Sequence, residues 1–253
     1  MALRYSIVIA VLNGAGSLKT TLTSVIEQTY PDCEIIVQDG GSTDGTLEIL
    51  RHYGNRINWI SEPDAGVYDA WNKALMRVTG DWTLFLGADD RLLHKHVLEQ
   101  CHHHLAHLPE HIRFAYGALM LGEDGDDQKC LALNRPLRGM YHQFLQNMGL
   151  PFPSTFIHSS LLHEQPFDTD YTIAGDYAFT ARHITRTNVA RLPVWVAFMR
   201  RGGISDSPKH AAKLLAERAR VLRMQVAPRA DEFVNAIADH LTATDTFLEK
   251  IPE

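Results

Sequence analysis

Four short apolar runs recur within the first ninety residues, and each ends in a polar or acidic turn before an amphipathic stretch begins. Tyr5–Leu12 is nearly continuous and rich in β-branched residues, the pattern of a strand covered on both faces. Glu34–Gln38, Ile57–Ile60 and Trp82–Leu86 read as three further strands. Between them, helices are expected from Ser17 to Gln28, with Leu18, Leu22, Val25 and Ile26 on one face, over Thr46–Tyr53, and over Val67–Val78. Strands and helices alternating at this spacing predict parallel pairing through right-handed crossovers. Ligands in such sheets bind beyond the carboxyl ends of the strands. Those ends carry Asn13, Asp39, the Glu62-Pro63-Asp64 segment and Asp89-Asp90.

The remaining chain is less regular. It predicts a helix near His94–His107, a strand over Arg113–Leu121, and an acidic turn at Gly122–Gln128 between hairpin arms. Arg135–Pro153, with its prolines and glycines, reads as a long loop. Short strands are expected at Thr155–His158 and Val194–Met199, with a helix over Gly175–Arg186. The fold class expected is α/β: a mostly parallel central sheet flanked by helices, with a helical C-terminal tail. Residues 1–205 form the main domain (1–90 and 91–205 as its halves), and 206–253 an extension.

A chain of 253 residues, 45% hydrophobic, can bury one substantial core without covalent staples. Its three cysteines, Cys33, Cys101 and Cys130, form no C-x-x-C pair, so neither a disulfide framework nor a zinc ribbon is expected. No apolar stretch approaches the roughly 20 residues of a membrane span, and the start lacks a leader-like core. A cytoplasmic protein is expected, at most peripheral at the inner face of the plasma membrane. The net charge of −6 leaves no footprint for nucleic acid.

Several groups carry chemistry. Asp89-Asp90 after a buried strand sets two carboxylates side by side, an arrangement that suits a hard cation such as Mg²⁺ or Mn²⁺ shared with substrate phosphates; capping of the next element is the plainer alternative. The turn from Asp39 to Thr46 is glycine-rich but is neither a phosphate-binding P-loop nor a dinucleotide fingerprint. Asp69, Asn72 and Lys73 share one helix face, which either looks into the site or is simply solvated. Asp176, with Asp168 and Asp170 upstream, stands at an expected helix start, where it is either a dipole partner or a general base for an acceptor hydroxyl.

Taken in order, SIVIAVLNG, EQTYPDCEIIVQDGGSTDGT, SEPDAGVYDAWNKAL, GDWTLFLGADD and IAGDYAF resemble the family 2 glycosyltransferases, over roughly residues 4–205. More narrowly they are similar to bacterial members that build exopolysaccharide, capsule or O-antigen. The resemblance implies a GT-A fold and an inverting displacement from a nucleotide-diphospho-sugar onto a saccharide or polyprenyl-linked acceptor, with Mn²⁺ or Mg²⁺. It implies that Asp39 contacts the donor base or ribose, that Asp89 sits by ribose and metal, that Asp90 holds the metal, and that Asp176 is the base. Ala10, Leu12, Asn13, Gly41, Glu62, Asp64, Asp69, Asn72 and Lys73 would line the nucleotide-sugar pocket, with Arg201 near the diphosphate.

Four departures from the family pattern leave the donor base open. Many relatives carry a second acid at Gly40, an Asp or Asn at Gly87, an aromatic at Leu12, and His-Gln at Phe152-Pro153. A nucleotidyltransferase would need a basic glycine-rich loop, and Lys19 is the one cation near Asn13–Ser17. A catalytically inactive nucleotide-sugar-binding or scaffold subunit of a polysaccharide complex is the other alternative. The histidines of segment 102–111 read as a solvated helix face rather than a metal site. From Lys209 to Arg229 six basic residues face a single acid, Glu217; interleaved leucines suit either an anionic membrane surface or packing on the main domain.

Overall fold

The computed structural model describes residues 3–123, 130–146 and 149–239. In chain order the strands are β1 (Tyr5–Val11), β2 (Cys33–Asp39), β3 (Asn58–Ser61), β4 (Trp82–Gly87), β5 (Arg91–Leu92), β6 (Phe114–Gly122), β7 (Leu131–Leu133), β8 (Thr155–His158) and β9 (Val189–Arg200). The α-helices are α1 (Leu18–Ile26), α2 (Thr46–Tyr53), α3 (Val67–Leu75), α4 (Val97–Leu105), α5 (Leu137–Leu145), α6 (Ser159–Glu164), α7 (Gly175–His183), α8 (Ala211–Val221) and α9 (Ala230–Asp239).

The strands form one sheet in the order β3-β2-β1-β4-β8-β6-β9-β5, with β7 beside β6. The first four pair in parallel as expected, and their ends fall into line: Val11 lies opposite Asp39, Asp39 opposite Ser61, and Ala10 opposite Gly87. That register brings Asn13, Asp39, the 62–64 segment and Asp89-Asp90 to one edge. The second half differs. β8 runs antiparallel to both β4 and β6, so the sheet as a whole is mixed rather than mostly parallel. Alternate residues of β1 serve two cores, with Ile7 and Ile9 on one face and Val8 on the other. This double coverage explains the unbroken apolar run.

Two sequence expectations are corrected. Arg135–Pro153 is not a loop, because α5 occupies its centre. Met140, Tyr141 and Phe144 are buried there, and Phe144 stacks on Phe233 of α9 at 5.4 Å between ring centres. The helix is stabilised by a surface some ninety residues further on, which local propensity does not register. The last strand also begins earlier than Val194, since Val189–Arg191 pairs with Phe114–Tyr116. The Gly122–Gln128 turn falls largely outside the described residues, although β6 and β7 are its antiparallel arms.

The C-terminal tail is helical through Asp239 and packs inward. Val221, Val226, Phe233 and Ala236 join the core that contains α5 and α7. Arg229 donates to the carbonyls of Ala181 (2.8 Å) and Ile184 at the end of α7, and its partner Glu232 holds it at 2.8 Å. Unpaired helix-end carbonyls are satisfied by a cation there. No helix among the described residues is long and apolar enough to cross a membrane.

Candidate active site

The turn after β2 is held by Asp39 and Asn13. One carboxylate oxygen of Asp39 accepts from Gly41 N–H (3.0 Å), Ser42 N–H (3.0 Å) and the Ser61 hydroxyl (2.6 Å). The other, Oδ1, is buried with no partner among the described residues. An orphaned buried acceptor costs roughly 1–3 kcal/mol, which leaves this oxygen free to take a further donor. Asn13 adopts a left-handed backbone, φ 54°, and its side chain accepts from Thr43 N–H at 2.9 Å while its own N–H reaches Ser42 Oγ at 2.7 Å. Gly40 lacks a side chain for a visible reason. A Cβ there would collide with Asp64 Oδ2 and stand 3.5 Å from Leu12 Cδ1. Asp64 therefore leans into the space that a second acid would fill, beside an exposed Leu12. Ala10 and Gly41 are backbone neighbours of this shelf.

The Asp69-Asn72-Lys73 face divides. Lys73 Nζ donates to Pro63 O at 2.7 Å and pairs with Asp69 at 3.1 Å and Glu62 at 3.8 Å, while Asp69 accepts from Ala65 N–H. These residues fasten the 62–66 loop to α3. Asn72 spends both ends of its amide on Phe167, donating to its carbonyl (2.8 Å) and accepting from its N–H (2.9 Å). It ties two segments together and does not face the cleft. Arg201 is exposed, and its N–H continues the strand pairing to Gly122 O. The neighbouring Arg200 is the one that lines the cleft. Asp168 and Asp170 pair outward with Arg182 and Arg220.

Asp90 is 5% exposed; its two oxygens accept from Gly87 N–H at 3.0 Å and Arg200 N–H at 3.1 Å. Burial first, and the Asp89 carboxylate second, push its carboxyl up to about 7. Gly87 is close beneath the pair, since a Cβ there would come within 2.8 Å of Asp90 Oδ2 and 3.0 Å of Asp89 Oδ1. Two carboxylates, one buried and one half-exposed, with spare lone pairs on both, fit a hard divalent cation that draws its remaining ligands from phosphate. No cluster of three His, Cys, Asp or Glu able to hold a metal occurs among the described residues, the histidines of α4 included. His102 instead meets the Tyr5 hydroxyl at 3.0 Å.

Asp176 stands in the first turn of α7. Its Oδ1 accepts from Tyr177 N–H at 2.8 Å and lies 3.3 Å from the Tyr68 hydroxyl, which also donates to Ile173 O at 2.7 Å. Burial raises its carboxyl above the ordinary value, against the opposing pull of Tyr177 N–H, Tyr68 and the Arg218 cation. Gly175 packs on the Tyr68 ring so closely that a Cβ would sit 2.6 Å from Cε2. Just upstream, the N–H groups of Thr172, Ile173 and Ala174 all point to Glu217.

Asp89, Asp90 and Asp176 line one cavity of about 320 Å³, with Tyr68, Trp71, Phe152 and Arg218 among its walls. The Asp39–Leu12–Asp64 shelf lies outside it, along the same sheet edge. Tyr68, Trp71, Glu217 and Arg218 are not singled out by the sequence. Tyr68 and Trp71 flank Asp69 in a helix pattern that any core would satisfy, and Glu217 stands out only as the lone acid of a basic run.

Comparison with known proteins supplies the context. A family model described as glycosyl transferase family 2 matches residues 6–158. A "PGL/p-HBAD biosynthesis glycosyltransferase" of Mycobacterium bovis is 46% identical over 92 residues, covering 35% of this chain and 36% of its own. Glycosyltransferase GlyA of Streptococcus pneumoniae is 33% identical over 90 residues, 34% of this chain and 13% of its own. The matched stretch thus spans about a third or less of these relatives. Among solved structures, S. aureus TarS 1–349 in complex with UDP superposes with a TM-score of 0.64 at 19% identity, over 99% of this chain and 76% of that one. The mannosyltransferase PcManGT from Pyrobaculum calidifontis, in complex with GDP-Man and Mn²⁺, gives 0.66 at 19% identity, over 96% and 71%. These neighbours share the GT-A fold, as the motif order implied.

Proposed function

We propose, since the chain belongs to glycosyl transferase family 2, that it moves a sugar from a nucleotide-diphosphate donor onto a hydroxyl of a saccharide or lipid-linked acceptor, with inversion at the anomeric carbon. The observation that carries this reading is the placement of the Asp89-Asp90 pair and Asp176 on the walls of one cavity at the carboxyl edge of the sheet.

Asp176 takes the proton from the acceptor hydroxyl. As that oxygen bonds to the anomeric carbon, the bond from carbon to the diphosphate oxygen breaks and the nucleoside diphosphate leaves. A carboxyl raised by burial is the stronger base once ionised, and a positioned base contributes about 10²–10⁴-fold. Tyr68 and Tyr177 N–H orient its Oδ1. On the donor side, Asp39 keeps its unpartnered Oδ1 for the base or ribose, Asp64 and Leu12 flank the adjoining Gly40, and Asn13 and Gly41 keep the turn closed. Asp89 and Asp90 would hold Mn²⁺ or Mg²⁺, which would neutralise the leaving diphosphate as a Lewis acid. The TarS and PcManGT complexes with UDP, or with GDP-Man and Mn²⁺, support a nucleotide-sugar donor and a divalent metal.

The acceptor side has two supports. α8 exposes Lys213 and Leu215, with Lys209, Arg223 and Met224 exposed in the flanking turns; Arg218 and Arg229 turn toward the protein, and Arg220, also exposed, is held by Asp170 and the Tyr171 ring. That exposed set suits peripheral contact with an anionic membrane carrying a lipid-linked acceptor. The relatives named for PGL/p-HBAD biosynthesis support a role in glycan assembly, which we place at the cell surface.

The test is nucleoside-diphosphate release from UDP-, GDP- and dTDP-sugars with Mn²⁺, Mg²⁺ or EDTA. Metal-dependent turnover of one donor, abolished in Asp90→Asn, is expected. Release that EDTA leaves untouched, or no release with membrane lipid extract supplied, would overturn the reading.

A further inference from the structure

We infer that Glu217, carried by the C-terminal helix α8, is the positioning residue that sets where Asp176 points; this rests on Asp176 being the base. The segment entering α7 has three consecutive backbone donors. Thr172 N–H reaches Glu217 Oε1 at 3.0 Å, and Ile173 and Ala174 N–H reach Oε2 at 2.9 Å each. Ile173 and Ala174 are buried, so without the carboxylate their N–H groups would lack water as well as protein partners. Consecutive N–H groups that converge in this way form a concavity for an anion. Here the anion is a side chain from a helix more than forty residues away.

The clamp grips the Ile173 residue from both sides. Glu217 takes its N–H, and the Tyr68 hydroxyl, which also lies against Asp176 Oδ1, takes its carbonyl. Ala174 is the residue before α7, and Asp176 follows two positions later. Fixing 172–174 therefore fixes the first turn of the helix that presents the base. The next residue of α8, Arg218, lines the cavity and pulls electrostatically on the same carboxylate. One turn of α8 thus supplies both the clamp and the cation that faces the base.

A role confined to anchoring α8 explains the burial but not the residue. Leu214 and Val221 already bury the apolar face of the helix, and a buried carboxylate is costly unless donors satisfy it. Three backbone donors from the loop before Asp176 do so, which couples α8 to the proposed base.

The experiment compares full-length wild type with Glu217→Gln, Glu217→Ala and the packing control Val221→Ala. The readouts are kcat, donor KM, thermal midpoint and backbone amide exchange over 170–177. Misplacement of a reacting group by about 1 Å can cost about 10²-fold. Both Glu217 variants should therefore lose kcat by 10- to 100-fold, roughly, while donor KM moves less than about twofold, and exchange at 172–174 should rise at least about tenfold. Val221→Ala should lose stability yet keep kcat. If Glu217→Ala fails to fold, Glu217→Gln carries the test, because its single oxygen can serve only part of the set. Wild-type kcat with unchanged exchange in Glu217→Gln would overturn the inference. So would a loss of kcat in Val221→Ala matching that of the Glu217 variants. Asp176→Asn, measured alongside, separates failures: if it keeps full activity the base assignment falls, and the exchange data alone then decide whether the clamp exists.

Discussion

Replacing Asp90 with Asn should make the metal-free protein more stable at alkaline pH while abolishing metal-dependent turnover. The carboxyl is pushed from 3.8 to about 7, chiefly by burial. At about 1.4 kcal/mol per unit, holding it charged in the folded chain costs about 4 kcal/mol. An acid whose folded value lies above its unfolded one loses stability as pH rises between the two, and the loss levels off above the folded value. Between pH 5 and 8 the linkage relation therefore takes about 2–3 kcal/mol from the wild type and nothing from the variant. Against this, the Asn side chain offers one oxygen to two donors, Gly87 and Arg200 N–H, which costs about 1–3 kcal/mol. Burial of the charge wins at pH 8, by about 1–3 kcal/mol, and the two effects nearly cancel near pH 5. The assay is thermal unfolding in EDTA across that range, where the variant's midpoint should rise above the wild type's by about 5 °C at pH 8. Adding Mn²⁺ should raise the wild type and leave the variant unmoved. A wild-type-to-variant difference that stays constant from pH 5 to 8 in EDTA would refute the buried-charge argument.

Other outcomes follow from the same geometry. Gly175→Ala adds a Cβ 2.6 Å from the Tyr68 ring; overpacking of about 1–3 kcal/mol exceeds the helix gain of about 1 kcal/mol, so urea denaturation should report a loss and kcat should fall. Asp176→Asn should lower kcat about 10²–10⁴-fold, and in the wild type kcat should drop with acid at a pH above the usual carboxylate range, because burial raises that group. Asp206, which also lines the cavity but accepts from Gly202 N–H, should tolerate replacement by Asn with kcat retained; a loss equal to that of Asp176→Asn would make it the base instead. Arg229→Met should cost about 2–3 kcal/mol by stripping the last carbonyls of α7 of a charged donor, read as a lower urea midpoint with donor KM unchanged.

Much of the first half was determined by the chain itself. Apolar period and turn residues place β1, β2 and β4 nearly to the residue, and because parallel strands with short connections must bring their carboxyl ends to one edge, Asp39, Asp64 and Asp89-Asp90 could be gathered there from sequence. The spacing between those motifs is short, so local rules suffice. Tertiary structure decided the rest, and in each case the deciding contact crosses a long stretch of chain. α5 forms because α9 covers Tyr141 and Phe144, and Asn72 turns away because Phe167 presents a backbone pair to it. The antiparallel entry of β8 sets the second half of the sheet. Glu217, unremarkable in a basic run, acquires its place only when α8 meets the three N–H groups before Asp176. A carboxylate's worth depends on how much water it has lost and which donors replace that water, and sequence spacing records neither.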